Sequence, residues 1–320
     1  MATVPSASDD GSRCLLLALS HDELGVILDG LADPLEPGVA EALCSTCKGL
    51  RIPLVLQAVM WRLAREHVRA QRLCIQFDLA EPDELRDKTM AIRLGLDYND
   101  NPQIVTSSDI ATLGMILRHG LPKLQHLTLC DIEFGDPGMQ SLCSGLTCGS
   151  APELKQLDID NNGFGLVGAE SLAAALSRGA LRKLEELHIG GNFVGIQGLS
   201  ALAGPLRKHP KLKELDLQSI AINDEGLAVL LDDAGTDDFK KLEVLILCSN
   251  ELTEKSCATL VRAIKRGALP ALKDVPGITS EQIEYNAFAE ARPHGGLAIL
   301  DAAMQAVDEA LWDALAARVG

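Results

Sequence analysis

The chain of 320 residues has few aromatic and few basic residues. Phe, Trp and Tyr make up 3% of it, and 29 Lys and Arg stand against 45 Asp and Glu, giving a formal net charge of −16. This balance argues against a nucleic-acid or anionic-membrane surface, because phosphate binding depends on clustered Lys and Arg. No apolar run reaches the length of about 18 residues that a transmembrane helix needs. We therefore expect no nucleic acid and no membrane among the partners.

Catalytic and metal-binding motifs are also missing. The sequence contains no P-loop, no H-E-x-x-H, no G-x-S-x-G and no dinucleotide-binding fingerprint. Cys44 and Cys47 lack the two further ligands that a zinc site requires at matching spacing. The nine cysteines show no disulfide framework, which indicates a reduced protein. We expect a non-enzymatic protein without metal or cofactor, in the cytoplasm or, alternatively, the nucleus.

What the sequence has in abundance is leucine, and it recurs in a fixed pattern. The pattern L-x-x-L-x-L occurs in five strong copies, whose middle Leu residues follow at steps of 30, 30, 28 and 30: Leu127, Leu157, Leu187, Leu215 and Leu245. A weaker copy places Leu94 before the first of them, and a decayed copy contains Leu272 and Val275. Self-similarity at one period predicts a repeat architecture.

Each copy has two halves with different periods. The first half alternates apolar and polar residues, as a short strand does. The second places Leu at spacings of three and four after a Gly, for example Leu172 and Leu176 after Gly168, which is typical of a helix. A strand–turn–helix unit cannot bury its apolar face without neighbours. We therefore expect an α/β solenoid with a parallel sheet on the concave side and helices on the convex side.

This pattern resembles that of leucine-rich-repeat proteins over residues 90–279, specifically the long-repeat class typified by ribonuclease inhibitor. The resemblance implies a horseshoe fold, in which an Asn after each strand bonds backbone groups between turns. These repeated bonds form an Asn ladder along the solenoid. Asn occupies the matching position in four copies: Asn99, Asn162, Asn192 and Asn250. Ile132 and Ile220 occupy it in two other copies, so the ladder is interrupted. We interpret these Asn residues as structural.

The N-terminal part differs in character from the repeats. We expect residues 1–13 to be a disordered tail and residues 14–89 to be a helical segment. Residues 19–51 resemble the F-box, a helical module that docks onto the Skp-type adaptor of cullin ubiquitin ligases. The resemblance implies an adaptor-binding role for seven residues: Leu19, Ile27, Leu28, Leu31, Cys47, Lys48 and Arg51.

Two positions depart from the F-box pattern. Ser20 stands where the family usually has Pro, and Leu50 stands where it usually has Trp. The alternative is that the N-terminal helices only cap the solenoid, since a terminal repeat exposes an apolar edge. Residues 280–320 are expected to cap the other end, where apolar residues recur at helical spacing: Leu300, Met304, Val307, Leu311 and Leu315. A partner-binding amphipathic helix would show the same spacing.

The outward positions of the strands form the candidate recognition surface, because alternate residues of a strand face opposite sides. The first copy contributes Arg93, Gly95 and Asp97. Nine residues of the later copies are candidates for partner binding: His126, Asp158, Asp160, Glu186, His188, Glu214, Asp216, Val244 and Ile246.

His188 is expected to lie between Asp158 and Asp216, in the same register on neighbouring strands about 4.8 Å apart. Carboxylates on both sides favour the protonated imidazole. One interpretation is that His188 only relieves the repulsion between stacked acids. The other is an acidic docking groove for a basic segment of a protein partner, bounded by Val244, Ile246 and Cys248.

Together these features predict a non-enzymatic scaffold for protein–protein interaction. The F-box resemblance implies a substrate receptor of a cullin-type ubiquitin ligase, with the adaptor on the N-terminal helices and the target on the concave face. The alternatives are a stand-alone repeat protein that acts as an inhibitor or an assembly subunit, and a GTPase activator resembling the Ran-activating repeat proteins.

Overall fold

A computed structural model describes residues 33, 55–76, 85–86, 90–95 and 105–278. The predictions for the tail at 1–13, for the seven adaptor-binding residues and for the capping region at 280–320 lie outside the described residues. Asp97 and Asn99 lie outside them as well. The predictions for the repeats fall almost entirely within them.

Strands and helices alternate along the described chain. The strands are β1 (Ala91–Gly95), β2 (His126–Cys130), β3 (Gln156–Asp158), β4 (Glu186–His188), β5 (Glu214–Asp216) and β6 (Val244–Ile246). The helices are α1 (Val55–Gln76), α2 (Ser107–His119), α3 (Gly135–Gly145), α4 (Leu166–Ser177), α5 (Gly195–Arg207), α6 (Asp224–Leu231) and α7 (Glu254–Lys265). None of these helices combines the length and apolar character that crossing a membrane requires.

The six described strands form one parallel sheet in chain order, β1 to β6. The middle Leu residues of the five strong copies pair with one another from strand to strand and are fully buried: Leu127, Leu157, Leu187, Leu215 and Leu245. Packed helices need about 8–10 Å of spacing and paired strands only about 4.8 Å, so the stack curves with the sheet inside. The predicted α/β solenoid is confirmed.

The predicted register of the first copy is wrong by two residues. Ile92, and not Leu94, pairs with Leu127, while Leu94 pairs with Leu129. Both Ile92 and Leu94 are buried, so they fill the two inward positions of the strand. A shift by two residues leaves each side chain on the same face, which is why alternation alone could not fix the register. Arg93 therefore lies two positions further along the strand than predicted.

The decayed seventh copy continues the backbone pairing of the sheet without a regular strand. Asp274 forms an isolated parallel bridge with Val244, and the amide of Leu247 donates to the carbonyl oxygen of Pro276 at 2.7 Å. Leu272 and Val275 are buried at the positions predicted for them. The solenoid thus extends beyond β6 by one degenerate turn.

The Asn ladder is confirmed at three of its positions. The Nδ2 of Asn192 donates to the carbonyl oxygens of Ile159, Ile189 and Gly190, and its Oδ1 accepts from the amide of Asn162 at 2.9 Å. Two other Asn residues, Asn162 and Asn250, make the same set of bonds in their own repeats. All three side chains are buried, so these bonds satisfy turn backbone groups that water cannot reach.

Four of the convex helices, α3 to α6, have a glycine in or near the first turn for a steric reason. A Cβ at Gly168 would lie 2.8 Å from the Cβ of Phe164, and a Cβ at Gly198 would lie 2.9 Å from the side chain of Val194. The buried loop side chain four residues earlier therefore packs directly over the glycine. This contact anchors each helix to the core and explains why glycine recurs there.

Helix α1 covers the β1 end of the stack among the described residues. Its Leu63, Ala70 and Leu73 are buried, and the helix packs against α2. Trp61 and Val68 lie on its exposed side. The helix predicted for this part of the N-terminal segment is therefore present.

Candidate functional site

The open face of the sheet is the side turned away from the helices. It carries all nine residues predicted for partner binding: His126, Asp158, Asp160, Glu186, His188, Glu214, Asp216, Val244 and Ile246. Each of these side chains is half-buried, because strands paired at close spacing crowd their outward side chains. The predicted surface is therefore continuous across β2 to β6. The structure does not describe the seven residues predicted for adaptor binding.

His188 pairs in register with Asp158 on one side and with Asp216 on the other, as predicted. Its nearest charged contact is different, because Nε2 lies 3.3 Å from the Oε1 of Glu214, a diagonal neighbour on β5. This Nε2 is shielded from solvent and makes no hydrogen bond. The imidazole therefore sits among carboxylates with one nitrogen unsatisfied.

Asp158 is held by groups on its own strand and on the preceding one. The thiol of Cys130 donates to Oδ1 of Asp158 at 2.8 Å, and the amide of Asp160 donates to the same oxygen at 3.3 Å. Burial and this contact with a carboxylate raise the pKa of Cys130 well above its ordinary range. Cys130 is therefore a thiol that acts as a donor on the open face.

Asp160 reaches across to the next repeat. Its Oδ1 accepts a hydrogen bond of 2.6 Å from the amide of Gly190, and a Cβ at Gly190 would lie only 3.3 Å from that oxygen. Burial is the largest cause that raises the pKa of Asp160 to about 7, followed by the charges of Asp158 and Asp216. The bond from Gly190 and the charge of His188 oppose this rise.

Asp158, Asp160 and His188 converge more closely than the sequence indicated. Each offers one potential metal-ligating atom, and these three atoms lie within 4.8 Å of one another. We predicted no metal from the sequence and did not foresee this cluster. The signal was the shared register of Asp158 and His188, combined with the strand alternation that brings Asp160 to the same face.

The other end of the face changes from acidic to apolar. Glu186 and Glu214 pair in register, and Glu214 is followed on β6 by Val244. Ile246 pairs with Asp216. Burial, and then the charge of Asp216, raises the pKa of the nearby Cys248. An apolar strip thus borders the carboxylates, as predicted.

The residues just before the strands form a rim of the sheet, which includes Glu185, Lys213, Glu243 and Lys273. The rim differs from the open face because its carboxylates pair with lysines. Lys213 contacts Glu185 at 2.7 Å, and Lys273 contacts Glu243. Hydrogen bonds from these lysines lower the pKa values of Glu185 and Glu243. Within the described ranges no Lys or Arg pairs with the carboxylates of the open face, namely Asp158, Asp160, Glu186, Glu214 and Asp216.

The chain was compared with protein families and with curated proteins. A sequence profile described as Leucine Rich repeat matches residues 152–173 and 208–231. The first match contains β3 with the start of α4, and the second contains β5 with α6. No curated protein matches the chain.

Two of the solved structures that are similar to this chain show a distant likeness. The crystal structure of a TLR13–ssRNA13 complex is 18% identical, covers 61% of this chain and 23% of that chain, and gives a TM-score of 0.32. This chain thus spans about a quarter of the length of that one. The crystal structure of the Rad7 and Elc1 complex in yeast is 13% identical, covers 77% of each chain, and gives a TM-score of 0.28.

The family match falls on two of the copies that the sequence predicts. The same copies form consecutive parallel strands with buried Leu residues in register and helices on the other side. The fold of this chain is therefore that of a leucine-rich-repeat solenoid.

Proposed function

We propose that the open face of the sheet is an acidic docking groove for a basic, extended segment of a protein partner. Leucine-rich-repeat solenoids serve as scaffolds for protein interaction, and curvature gives them an extended concave binding surface. The specific proposal concerns which part of that surface binds and what chemistry it binds.

The observation that carries the proposal is the difference between the carboxylates of the rim and those of the open face. Rim residues such as Glu185 have a lysine partner, whereas the carboxylates of the open face have no Lys or Arg partner among the described residues. Half-buried carboxylates without a cation gain most from charge-assisted hydrogen bonds with Lys or Arg of a partner. Val244 and Ile246 add an apolar contact at one end of the groove.

A binding assay with a matched control tests this proposal. The groove variant combines Asp158→Asn, Asp160→Asn and Asp216→Asn. The control combines Glu170→Gln, Asp232→Asn and Asp233→Asn, which removes the same number of acidic groups from exposed positions on or just after the convex helices. Each protein is titrated with a library of Lys- and Arg-rich peptides that contain apolar residues, in low and in physiological salt.

We expect sequence-selective binding by the wild type and by the control, and its loss in the groove variant. Equal weakening in both variants would show that only the overall negative charge attracts the peptides, and would contradict a specific groove. Binding should weaken with salt, because part of the attraction is between exposed charges.

We further propose that residues 19–51 recruit a Skp-type adaptor, so that the protein is a substrate receptor of a cullin-type ubiquitin ligase. The support is the resemblance of the seven adaptor-binding residues to the F-box. In this arrangement the N-terminal helices hold the ligase and the open face holds the protein to be modified.

Co-purification with the adaptor tests this second proposal. The full chain is compared with a deletion of residues 1–51 and with the point variant Leu28→Asp, and circular dichroism checks that each variant is folded. We expect the full chain to capture the adaptor and both folded variants to lose it. If the folded variants capture it equally, or if the full chain captures none, the ligase role is wrong and a stand-alone inhibitor or assembly subunit remains.

A further inference from the structure

The cluster of Asp158, Asp160 and His188 has the dimensions of an open metal site. Three atoms within 4.8 Å of one another leave a central point no more than about 2.8 Å from each, whereas zinc lies about 2.0–2.2 Å from carboxylate oxygen and imidazole nitrogen. Each ligating atom would need to move by less than about 1 Å. Side-chain torsions supply such a movement without any change in the strands.

The electrostatics of the cluster also favour a cation. The potential ligating atoms of Asp158 and Asp160 lie within 4.8 Å of each other. The Nε2 of His188 is shielded from solvent without a hydrogen bond, although the Oε1 of Glu214 lies 3.3 Å away. The two carboxylates therefore lack a compensating positive charge, and the imidazole nitrogen lacks a hydrogen-bond partner. A divalent ion between the two carboxylates, with the imidazole as third ligand, would remove the repulsion and give the ring a defined partner.

The ligand set distinguishes among ions. Calcium and magnesium take oxygen ligands almost exclusively, so an imidazole in the set argues against them. Zinc accepts imidazole and carboxylate together, and three protein ligands with a solvent molecule in the fourth position are typical of open zinc sites. The three residues of the cluster are half-buried on the open face, so a solvent molecule would be the fourth ligand.

We propose that Asp158, Asp160 and His188 bind a divalent transition-metal ion, with Zn²⁺ as the best fit. The backbone already fixes the spacing of the three residues, because Asp158 pairs with His188 and Asp160 is held by the amide of Gly190. The site lies in the acidic groove but does not depend on a protein partner. Its test uses no partner, so its failure is distinguishable from failure of the docking proposal.

The experiment titrates the full chain, freed of metal by a chelator and kept reduced, with Zn²⁺ in a calorimeter and with Co²⁺ as a visible-absorption probe. The variants are Asp158→Asn and His188→Gln. The matched control is His67→Gln, which alters a half-buried histidine on helix α1, outside the open face and outside the cluster. Ring resonances of His188 and of His126, followed by NMR in the wild type, report which imidazole contacts the ion.

We expect one equivalent of Zn²⁺ to bind the wild type and the control alike. The two cluster variants should bind at least about tenfold more weakly, because even changes outside the ligand shell of a metal cost about 10–100-fold. In the wild type, Zn²⁺ should shift the ring resonances of His188 and leave those of His126 in place. No binding, binding that the cluster variants retain, or unmoved His188 resonances would each overturn the proposal.

Discussion

The Nε2 of His209 donates a hydrogen bond to the carbonyl oxygen of Leu181, 2.9 Å away in the preceding repeat. The other ring nitrogen, Nδ1, accepts from the amide of Leu212 at 3.1 Å. The neutral imidazole therefore uses both nitrogens, and protonation would break the second bond. Burial is the main cause that lowers the pKa of His209, although the bond to Leu181 opposes the change.

The two hydrogen bonds of the neutral His209 predict that this residue contributes less to stability in mild acid. Because the pKa of His209 is lowered in the folded state, the unfolded chain takes up a proton first, below its ordinary value of about 6.5. Proton uptake by His209 in the unfolded chain should therefore lower the free energy of unfolding as the pH decreases from about 7 to about 5.5, while the raised pKa of Asp160 acts in the opposite direction. Urea unfolding at both pH values should show that the wild type loses stability relative to His209→Gln at the lower pH. An unchanged difference between the two proteins would mean that His209 is not the responsible group, and His126→Gln serves as the control.

The Asn ladder predicts a difference between two identical substitutions. Asn192 is buried and joins two turns, whereas Asn223 is half-buried and caps helix α6 by accepting from the amides of Glu225 and Gly226. Asn192→Ala should lower the free energy of unfolding by about 3 kcal/mol, because it leaves several buried backbone groups unsatisfied. Asn223→Ala should cost only about 1 kcal/mol, as loss of a helix cap usually does. Similar costs in chemical denaturation would contradict a structural role for the ladder.

The repeat architecture was accessible from the sequence because it rests on backbone pairing and on buried Leu, both of which follow the period of the chain. The sequence predicts the register of His188 with Asp158 and Asp216 and the three described Asn positions. The register of the first copy was not accessible in this way. If β1 slips by two residues relative to β2, Ile92 and Leu94 still face inward, so both registers fit the apolar pattern.

Contacts that depend on side-chain direction could not be predicted from the repeat. Glu214 approaches His188 diagonally, although the predicted neighbours were the carboxylates directly opposite. Asp160 bonds to the amide of Gly190 because glycine leaves room for the carboxylate. The side-chain directions of Glu214 and Asp160 decide the geometry of the open face, and neither direction follows from a repeat period of about 30 residues.

The closest approach of two convex helices supplies another prediction. A Cβ at Gly145 of α3 would lie 1.8 Å from the carbonyl oxygen of Gly114 in α2, so the helices would have to separate. Gly145→Ala should lower the free energy of unfolding by about 1–3 kcal/mol, the usual cost of overpacking. Gly235→Ala is the control, because nothing lies near its added Cβ and its φ is not positive. The same unfolding assay should find Gly235→Ala within about 1 kcal/mol of the wild type; equal losses would refute the close packing.

Asp136 caps helix α4 of the following repeat. Its Oδ1 accepts from the amides of Gly165 and Gly168 at 2.8 and 2.7 Å, at the start of α4 in the next repeat. Asp136→Ala should cost about 1–2 kcal/mol, as removal of a capping acceptor does. Asp136→Asn keeps an acceptor oxygen and should recover most of that loss in thermal unfolding. An Asn variant as unstable as the Ala variant would show that the charge, and not the acceptor, is what matters.

The central claim is that the open face of the sheet is where a protein partner binds. Site-specific photo-crosslinking in cells that produce the protein tests it most directly, with the photoreactive residue at Gln218, exposed just after β5, or at Glu170, exposed on convex helix α4. The account predicts a discrete crosslinked partner from position 218, none from position 170, and loss of the adduct when Asp158→Asn, Asp160→Asn and Asp216→Asn are combined. An adduct that forms only from position 170, or one from position 218 that persists in the groove variant, would contradict it.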